Sequence, residues 1–262
     1  MSEERHVLDL LSLRGKVALI TGASAGLGVE LARALAIAGA DVALVARRRE
    51  RLEALSDEMR ADGVRAEAIA ADLALDADIA DAVAQTEQRL GPIDVLVNNA
   101  GIALIGPSER YSRDKWDQTI RLNLTAAWLL CQEVGKRMIA RGAGGRIINV
   151  TSVISAAANP IYHGAGYSAA KAGLMNVTKQ LAIEWAQHGI TVNALAPGWF
   201  PTEMTEAGFA KEKFRGKTES LTPMARLGEP RELQSALLFL AAPSSSFVTG
   251  TTVFVDGGWT AW

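Results

Sequence analysis

Along most of its length the chain alternates short apolar runs with longer stretches in which apolar residues recur every three or four positions. Lys16-Val-Ala-Leu-Ile20 is the first such run, suited to a strand buried on both faces, and Leu27, Leu31, Leu35 and Ala38 follow at helical spacing. A second run, Asp41 to Val45, precedes a predicted helix over Glu50–Arg60, and a third, Val64 to Ala70, precedes one over Asp76–Arg89. Ile93 to Val97 predicts a fourth strand. The stripe Trp116, Ile120, Leu124, Ala127, Cys131, Val134 and Met138 then predicts one helix with these residues in the core. Strands over Gly145–Val150 and Ile190–Leu195 enclose a further long helix whose face carries Leu174, Leu181 and Trp185. A helix over Arg231–Ala241 and a strand over Thr252–Val255 complete the series. This alternation, unbroken by repeats or linkers, predicts a single α/β domain over 1–262, a doubly wound parallel sheet of about seven strands with helices on both faces. Residues 199–224 leave the pattern, mixing Trp199, Phe200, Pro201 and Pro223, and read as a lid over a substrate.

The ends of the apolar runs carry the unusual residues. The first run ends in Thr21-Gly22-Ala-Ser24-Ala-Gly26-Leu-Gly28 and opens directly into a helix. Strand, glycine turn and helix in succession suit a dinucleotide pyrophosphate: glycine lets the backbone approach the phosphates, and the helix start offers unpaired N–H groups and a positive dipole end. At the end of the second strand an NAD-selective site carries an acid for the ribose hydroxyls. Here Ala46 is followed by Arg47 and Arg48. Cations without an adjacent acid favour a 2′-phosphate; the alternative is a solvated basic start to the next helix. Asp72-Leu73 closes the third strand where a carboxylate meets an adenine ring. Asn98-Asn99-Ala100-Gly101 ends the fourth, either as a tight turn or as small and amide residues that brace neighbouring strands and leave room for a cofactor.

Composition narrows the reading. Basic and acidic residues nearly balance, 27 against 29, and no basic run suggests nucleic acid. No apolar run is long enough to span a bilayer, and residues Met1 to Leu13 lack the layout of a signal peptide, so a cytoplasmic protein is expected. Cys131 is the single cysteine and sits on a core stripe, so it reads as packing rather than as a nucleophile. His6, His163 and His188 are scattered, and no metal is expected.

Tyr167-Ser-Ala-Ala-Lys171 gives the candidate chemistry. Four residues bring phenol and ammonium to one helix face. A phenol titrates near 10 in water, and a cation one turn away stabilises its phenolate. Taken alone, the pair is also what a snorkelling lysine on an amphipathic helix looks like. Asn123 interrupts an apolar stripe, either as a satisfied core amide or as a group aimed at a site.

Taken together, Thr21-Gly-x-x-x-Gly-x-Gly28, Asp72, Asn98-Asn-Ala-Gly101, Asn123, Ser152, Tyr167-x-x-x-Lys171 and Pro197-Gly198 resemble the short-chain dehydrogenase/reductase family in its compact single-domain form, from about Leu13 to Gly258. The resemblance implies a Rossmann-like fold and a tetrad of Asn123, Ser152, Tyr167 and Lys171. In that tetrad Tyr167 is the acid/base, Ser152 polarises the substrate oxygen, Lys171 binds ribose and lowers the phenol pKa, and Asn123 fixes a water in a relay with Lys171. It further implies cofactor contacts from Gly22, Ser24, Gly26, Leu27, Gly28, Arg47, Arg48, Asp72, Leu73, Asn99, Ala100, Gly101, Tyr167, Lys171, Pro197, Gly198 and Thr202. NADP(H) is favoured; Ala25, where many NADP-using relatives carry a basic residue, leaves NAD(H) open. Ser152 precedes Tyr167 by 15 residues, more than is usual in the family, which leaves Ser155 as an alternative serine. Ile154, Tyr162, His163, Trp199 and Phe200 are expected to line the substrate side. The implied reaction is hydride transfer between NADP(H) and a ketone or secondary alcohol. The opening at Leu13 and the ending Val255–Trp262 lean towards gluconate-type and other sugar-acid or polyol oxidoreductases. A 3-oxoacyl carrier-protein reductase and a catalytically silent dinucleotide-binding regulator are the alternatives. A homotetramer is implied, with Trp259 and Trp262 as exposed apolar groups at its contacts.

Overall fold

The computed structural model describes residues 7–158 and 160–261; His6, Asn159 and Trp262 lie outside them. Seven strands form one sheet: β1 (Val17–Thr21), β2 (Asp41–Ala46), β3 (Ala66–Ala70), β4 (Val95–Asn98), β5 (Gly145–Val150), β6 (Ile190–Pro197) and β7 (Thr252–Val255). Their order is β3-β2-β1-β4-β5-β6-β7, with every pairing parallel. The order reverses direction between β1 and β4, the topological switch point at which open parallel sheets leave a crevice beyond the strands' carboxyl ends. The predicted strands are all present, displaced at most by two or three residues at either end.

The sheet is buried on both faces because each strand is apolar at successive positions. In β1, Ala18 and Ile20 point into one core with Leu31, Leu35, Leu52 and Leu237. Val17 and Leu19 point into the other with Ile79, Leu130, Val134 and Leu181. The first core is closed by α1 (Leu27–Ile37), α2 (Arg49–Ala61) and α9 (Gln234–Ala241), and the second by α3 (Asp76–Leu90), α5 (Ala126–Arg141) and α6 (Ala165–Trp185). Burying a Leu or Ile side chain stabilises by about 1.5–3 kcal/mol, so the two facing cores hold the strand ends in fixed register.

One expected element is divided. The stripe beginning at Trp116 forms α4 (Arg113–Ile120), then a π-helical turn over Arg121–Thr125, then α5. A π turn adds a residue to the helical ladder and so rotates the face that precedes it. Trp116 is consequently exposed, while Thr119 and Asn123 are fully buried. Ala127, Cys131, Val134 and Met138 keep their predicted place in the core.

Residues 199–224 are also more ordered than their composition suggests. They contain α7 (Glu206–Phe209) and α8 (Glu212–Ser220), folded over the carboxyl end of β6. Trp199 is held edge-to-face by Tyr162, Phe209, Phe214 and Trp259, at centroid separations of 5.9–6.4 Å. Trp259 is therefore buried within its own chain and is not the exposed apolar end expected from the sequence.

Candidate active site

A cleft of about 630 Å³ runs along the carboxyl ends of the strands and across the switch point. Its floor is the turn between β1 and α1. Gly22 and Gly26 have φ of 69° and 60°, backbone that side-chain-bearing residues rarely adopt. A Cβ on Gly28 would come within 2.6 Å of Asn99 Nδ2 and closer still to the Gly22 carbonyl. The turn is tied to the end of β4 through Thr21, whose hydroxyl accepts from the N–H groups of Asn99 and Ala100, both at 3.0 Å. Asn99 Nδ2 donates back to the Thr21 carbonyl at 3.0 Å. No side chain caps α1, so the N–H groups of its first turn remain available to an anion.

The far end of the cleft is basic. Ala46 ends β2, Arg47 is exposed and forms no ion pair with a described residue, and Arg48 donates from Nε to Ser24 Oγ at 3.1 Å. Arg48 Nη1 also donates to Glu203 Oε2 at 2.9 Å, and the same carboxylate pairs with Arg51. Asp72 and Leu73 line the wall beyond, the Asp72 carboxylate accepting from the Ala74 N–H at 3.0 Å. On the lid side Thr202 lies against Gly26, and Pro197-Gly198 packs so tightly on the chain at Asp256 that a Cβ on Gly198 would reach 2.7 Å.

The near end carries Ser152, Tyr167 and Lys171, all lining the cleft. Ser152 follows β5 in extended backbone (φ −170°), and its hydroxyl is hydrogen-bonded to the Tyr167 phenol. Ser155 is buried, and its hydroxyl accepts from the Ser152 N–H at 3.3 Å, capping the short turn between them. Of the two serines, Ser152 is the one that faces the cleft. Lys171 is 3% exposed and donates from Nζ to the Val150 carbonyl at 2.7 Å. Burial without a carboxylate partner pulls its pKa down to about 8. Its Nζ lies 5.7 Å from the Tyr167 ring centroid. Burial raises the phenol pKa well above 10, with Tyr162 adding to the rise and Ser152 opposing it. In the protein alone the shift is therefore opposite to the one expected from Lys171, Ser152 being the group that opposes it, and the phenol is neutral at neutral pH.

Asn123 is directed inward by the π turn. Its Nδ2 donates to the Thr119 and Ile102 carbonyls, both at 2.9 Å, and its Oδ1 accepts from the Ile102 N–H at 3.2 Å. With both donor hydrogens spent on backbone, the amide braces the segment after β4 against α4. A second amide chain, of which the sequence marked Asn98 as a strand brace but not Asn149 or Thr178, ties β4 to β5 and α6. Asn98 Nδ2 donates to Asn149 Oδ1 at 2.9 Å, and Asn149 Nδ2 donates to Thr178 Oγ1 at 2.9 Å. Cys131 joins this chain as a buried thiol whose pKa burial pushes up to about 12, far from that of a nucleophile.

All of the expected cofactor contacts line the one cleft, although they come from the ends of β1, β2, β3, β4 and β6, from α6 and from the start of the lid. The five expected substrate-side residues are less uniform. Phe200 lines this cleft; Trp199 lines a neighbouring cavity of about 400 Å³ against Asp256–Gly258. Ile154 and Tyr162 pack with Trp199 in the aromatic cluster beside Tyr167, and His163 is exposed. Residues to which the sequence assigns no role include Thr21, quoted only as the start of the glycine motif, and Glu203, which carried no signal.

The site can be compared with known proteins. A family profile described as enoyl-(acyl carrier protein) reductase matches residues 22–260. The gluconate 5-dehydrogenase of Gluconobacter oxydans (strain 621H) is 43% identical over 250 residues, 95% of this chain and 96% of that protein. The crystal structure of a gluconate 5-dehydrogenase from Burkholderia cenocepacia J2315, in complex with NADP and tartrate, superposes with a TM-score of 0.93 at 41% identity, covering 98% of this chain and 100% of that one. A short-chain type dehydrogenase/reductase from Mycobacterium marinum superposes with a TM-score of 0.94 at 35% identity, covering 98% and 100%.

Proposed function

The chain belongs to the short-chain dehydrogenase/reductase family, and from that premise we propose that it interconverts a keto sugar acid and the corresponding secondary alcohol with NADP(H). The observation that carries the chemistry is the meeting of Ser152, Tyr167 and Lys171 at one end of a cleft whose other end carries the glycine turn and Arg47. The substrate class is supported by the near-full-length likeness to gluconate 5-dehydrogenases.

The cleft fits a dinucleotide. The glycine turn has no room for side chains, the start of α1 is uncapped, and Arg47 and Arg48 stand where an NAD-selective acid is missing. The nicotinamide, when bound, supplies or accepts the hydride. The protein supplies position and the proton. Tyr167 gives its proton to the substrate oxygen in reduction and takes it back in oxidation, and Ser152 holds that oxygen by a hydrogen bond. Lys171, placed by α6 and the Val150 carbonyl, would hold the ribose of a bound dinucleotide and adds positive charge near the phenol. Asn123 keeps the strand-end segment in register with Lys171.

The proposal extends to assembly and place: a homotetramer in the cytoplasm. Trp128 on α5 and Ile183 on α6 are exposed, and apolar surface of this kind is covered when subunits pair. No helix among the described residues is long and apolar enough to cross a membrane.

Nicotinamide absorbance, followed while the purified protein is offered 5-keto-gluconate, other keto sugar acids and 3-oxoacyl thioesters, tests the reading. NADPH consumption with a keto sugar acid is expected. Turnover of thioesters alone would reverse the substrate assignment, and binding of NADPH with no turnover on any ketone or alcohol would favour a silent binding protein.

A further inference from the structure

The Glu203 carboxylate stands in the dinucleotide cleft without a part in the reaction just described. It comes from the start of the lid and reaches across to α2, where Oε2 accepts from Arg48 Nη1 at 2.9 Å and Oε1 accepts from Arg51. Arg48 is thereby held between two partners, Glu203 and the Ser24 hydroxyl. The two arginines lie at the N-terminal end of α2, where the helix dipole adds to their positive charge. The pairing with Arg51 and Arg48 holds the Glu203 carboxyl below the usual carboxylate range, so it is an anion at neutral pH. Arg47, on the same rim, pairs with no described carboxylate.

Resting on the dinucleotide reading above, we propose that Glu203 is a specificity-determining residue that tempers the preference for NADP(H) by occupying Arg48. Along the chain Arg47 and Arg48 have no acid at the end of β2, where Ala46 stands in place of the usual carboxylate. The fold supplies that acid from elsewhere, 155 positions along the chain from Arg48. A 2′-phosphate approaching Arg48 meets a carboxylate already bound to it, and like charges repel. It must displace Glu203 or rely on Arg47 alone. A cofactor without the phosphate meets no such competition, and its ribose hydroxyls are donors that a carboxylate accepts. One tethered anion therefore weakens binding of the phosphorylated cofactor and leaves the other unaffected or slightly strengthened.

The ion pairs are about half exposed, which sets the size of the effect. Exposed pairs are worth little and are screened by salt, so a change of about three- to tenfold is expected. The test is calorimetric titration of the wild type and Glu203→Gln with NADPH, NADH and adenosine 2′,5′-bisphosphate at low salt. Glu203→Gln should bind NADPH and the bisphosphate about three- to tenfold more tightly, with NADH unchanged or weaker, and the difference should shrink at high salt. The bisphosphate lacks the nicotinamide end, so a tighter fit of it cannot arise from altered lid contacts there. An unchanged ratio of NADPH to NADH affinity overturns the proposal alone. Equal weakening of both cofactors also overturns it, making Glu203 a strut for the lid. A wild type that binds neither dinucleotide overturns this proposal together with the oxidoreductase reading.

Discussion

At the scale of single residues, Lys171 is buried and Tyr167 half-buried at the cleft, and loss of solvent moves their pKa values in opposite directions. The phenol, protonated at neutral pH even at its ordinary value, is moved further upward by loss of solvent. Tyr167→Phe should leave NADPH affinity within about twofold and lower turnover by about 10²–10⁴, the range of general acid–base catalysis. Steady-state kinetics beside a binding titration checks this, and near wild-type turnover would require another acid. Lys171 affects stability as well. Its pKa in the folded protein is about 8, below the ordinary lysine value of 10.5. Between those values the unfolded chain holds a proton that the folded chain has released, so stability rises with pH across that window. From about pH 7 to pH 9.5 the gain is about 2 kcal/mol. Lys171→Met should lack that gain, which urea unfolding at the two pH values measures. If wild type and variant changed in parallel, the lysine would be charged throughout and the burial argument would be wrong.

Among the elements, the strand–turn–helix at β1 and α1 has the narrowest tolerance. Gly28 lies in the helix, so its need for glycine is steric: a Cβ there would overlap Asn99 Nδ2 and the Gly22 carbonyl. Those two groups tie β1 to β4, so they cannot move apart without opening the switch point. Gly28→Ala should lower the melting temperature and weaken NADPH binding by at least about tenfold, a loss of about 1.4 kcal/mol. Gly216, within α8, has open space where a Cβ would go. Gly216→Ala should be neutral or stabilising by about 0.4–1 kcal/mol through the unfolded chain. Equal effects of the two substitutions, in thermal melts and cofactor titrations, would remove the steric account of the cradle. The π turn is the other decisive element, since its extra residue turns Asn123 inward and leaves Trp116 on the surface.

For the molecule as a whole, the two cores fix the sheet and leave apolar side chains outside it. Trp116, Trp128, Ile183, Phe239 and Phe247 are exposed on the chain by itself. The proposed homotetramer covers part of this surface. Light scattering should give the mass of four chains at micromolar concentration, and Trp128→Glu should lower that mass while leaving far-ultraviolet circular dichroism unchanged. A wild-type protein that scatters only as a monomer would remove the assembly proposal.

The order of strands and helices, the parallel sheet and the glycine cradle were legible in the sequence because they rest on local pattern. Apolar runs buried on both faces read directly as strands, and a glycine turn between strand and helix has few other uses. Tyr167 and Lys171 were legible for the same reason, being one helical turn apart. Other features depended on residues far apart in the chain meeting in space. Ser152 was already the expected serine, with Ser155 the alternative, and the 3₁₀ turn over Val153–Ser155 then directs one hydroxyl to the cleft and the other to backbone. Trp259 became a core residue only when the lid folded Phe209 and Phe214 round Trp199. The sign of the phenol's pKa shift followed from its burial, which no spacing of residues records. Glu203 gained its place beside Arg48 because the lid returns over α2, and electrostatic pairing of that kind depends on distance in space, not separation along the chain.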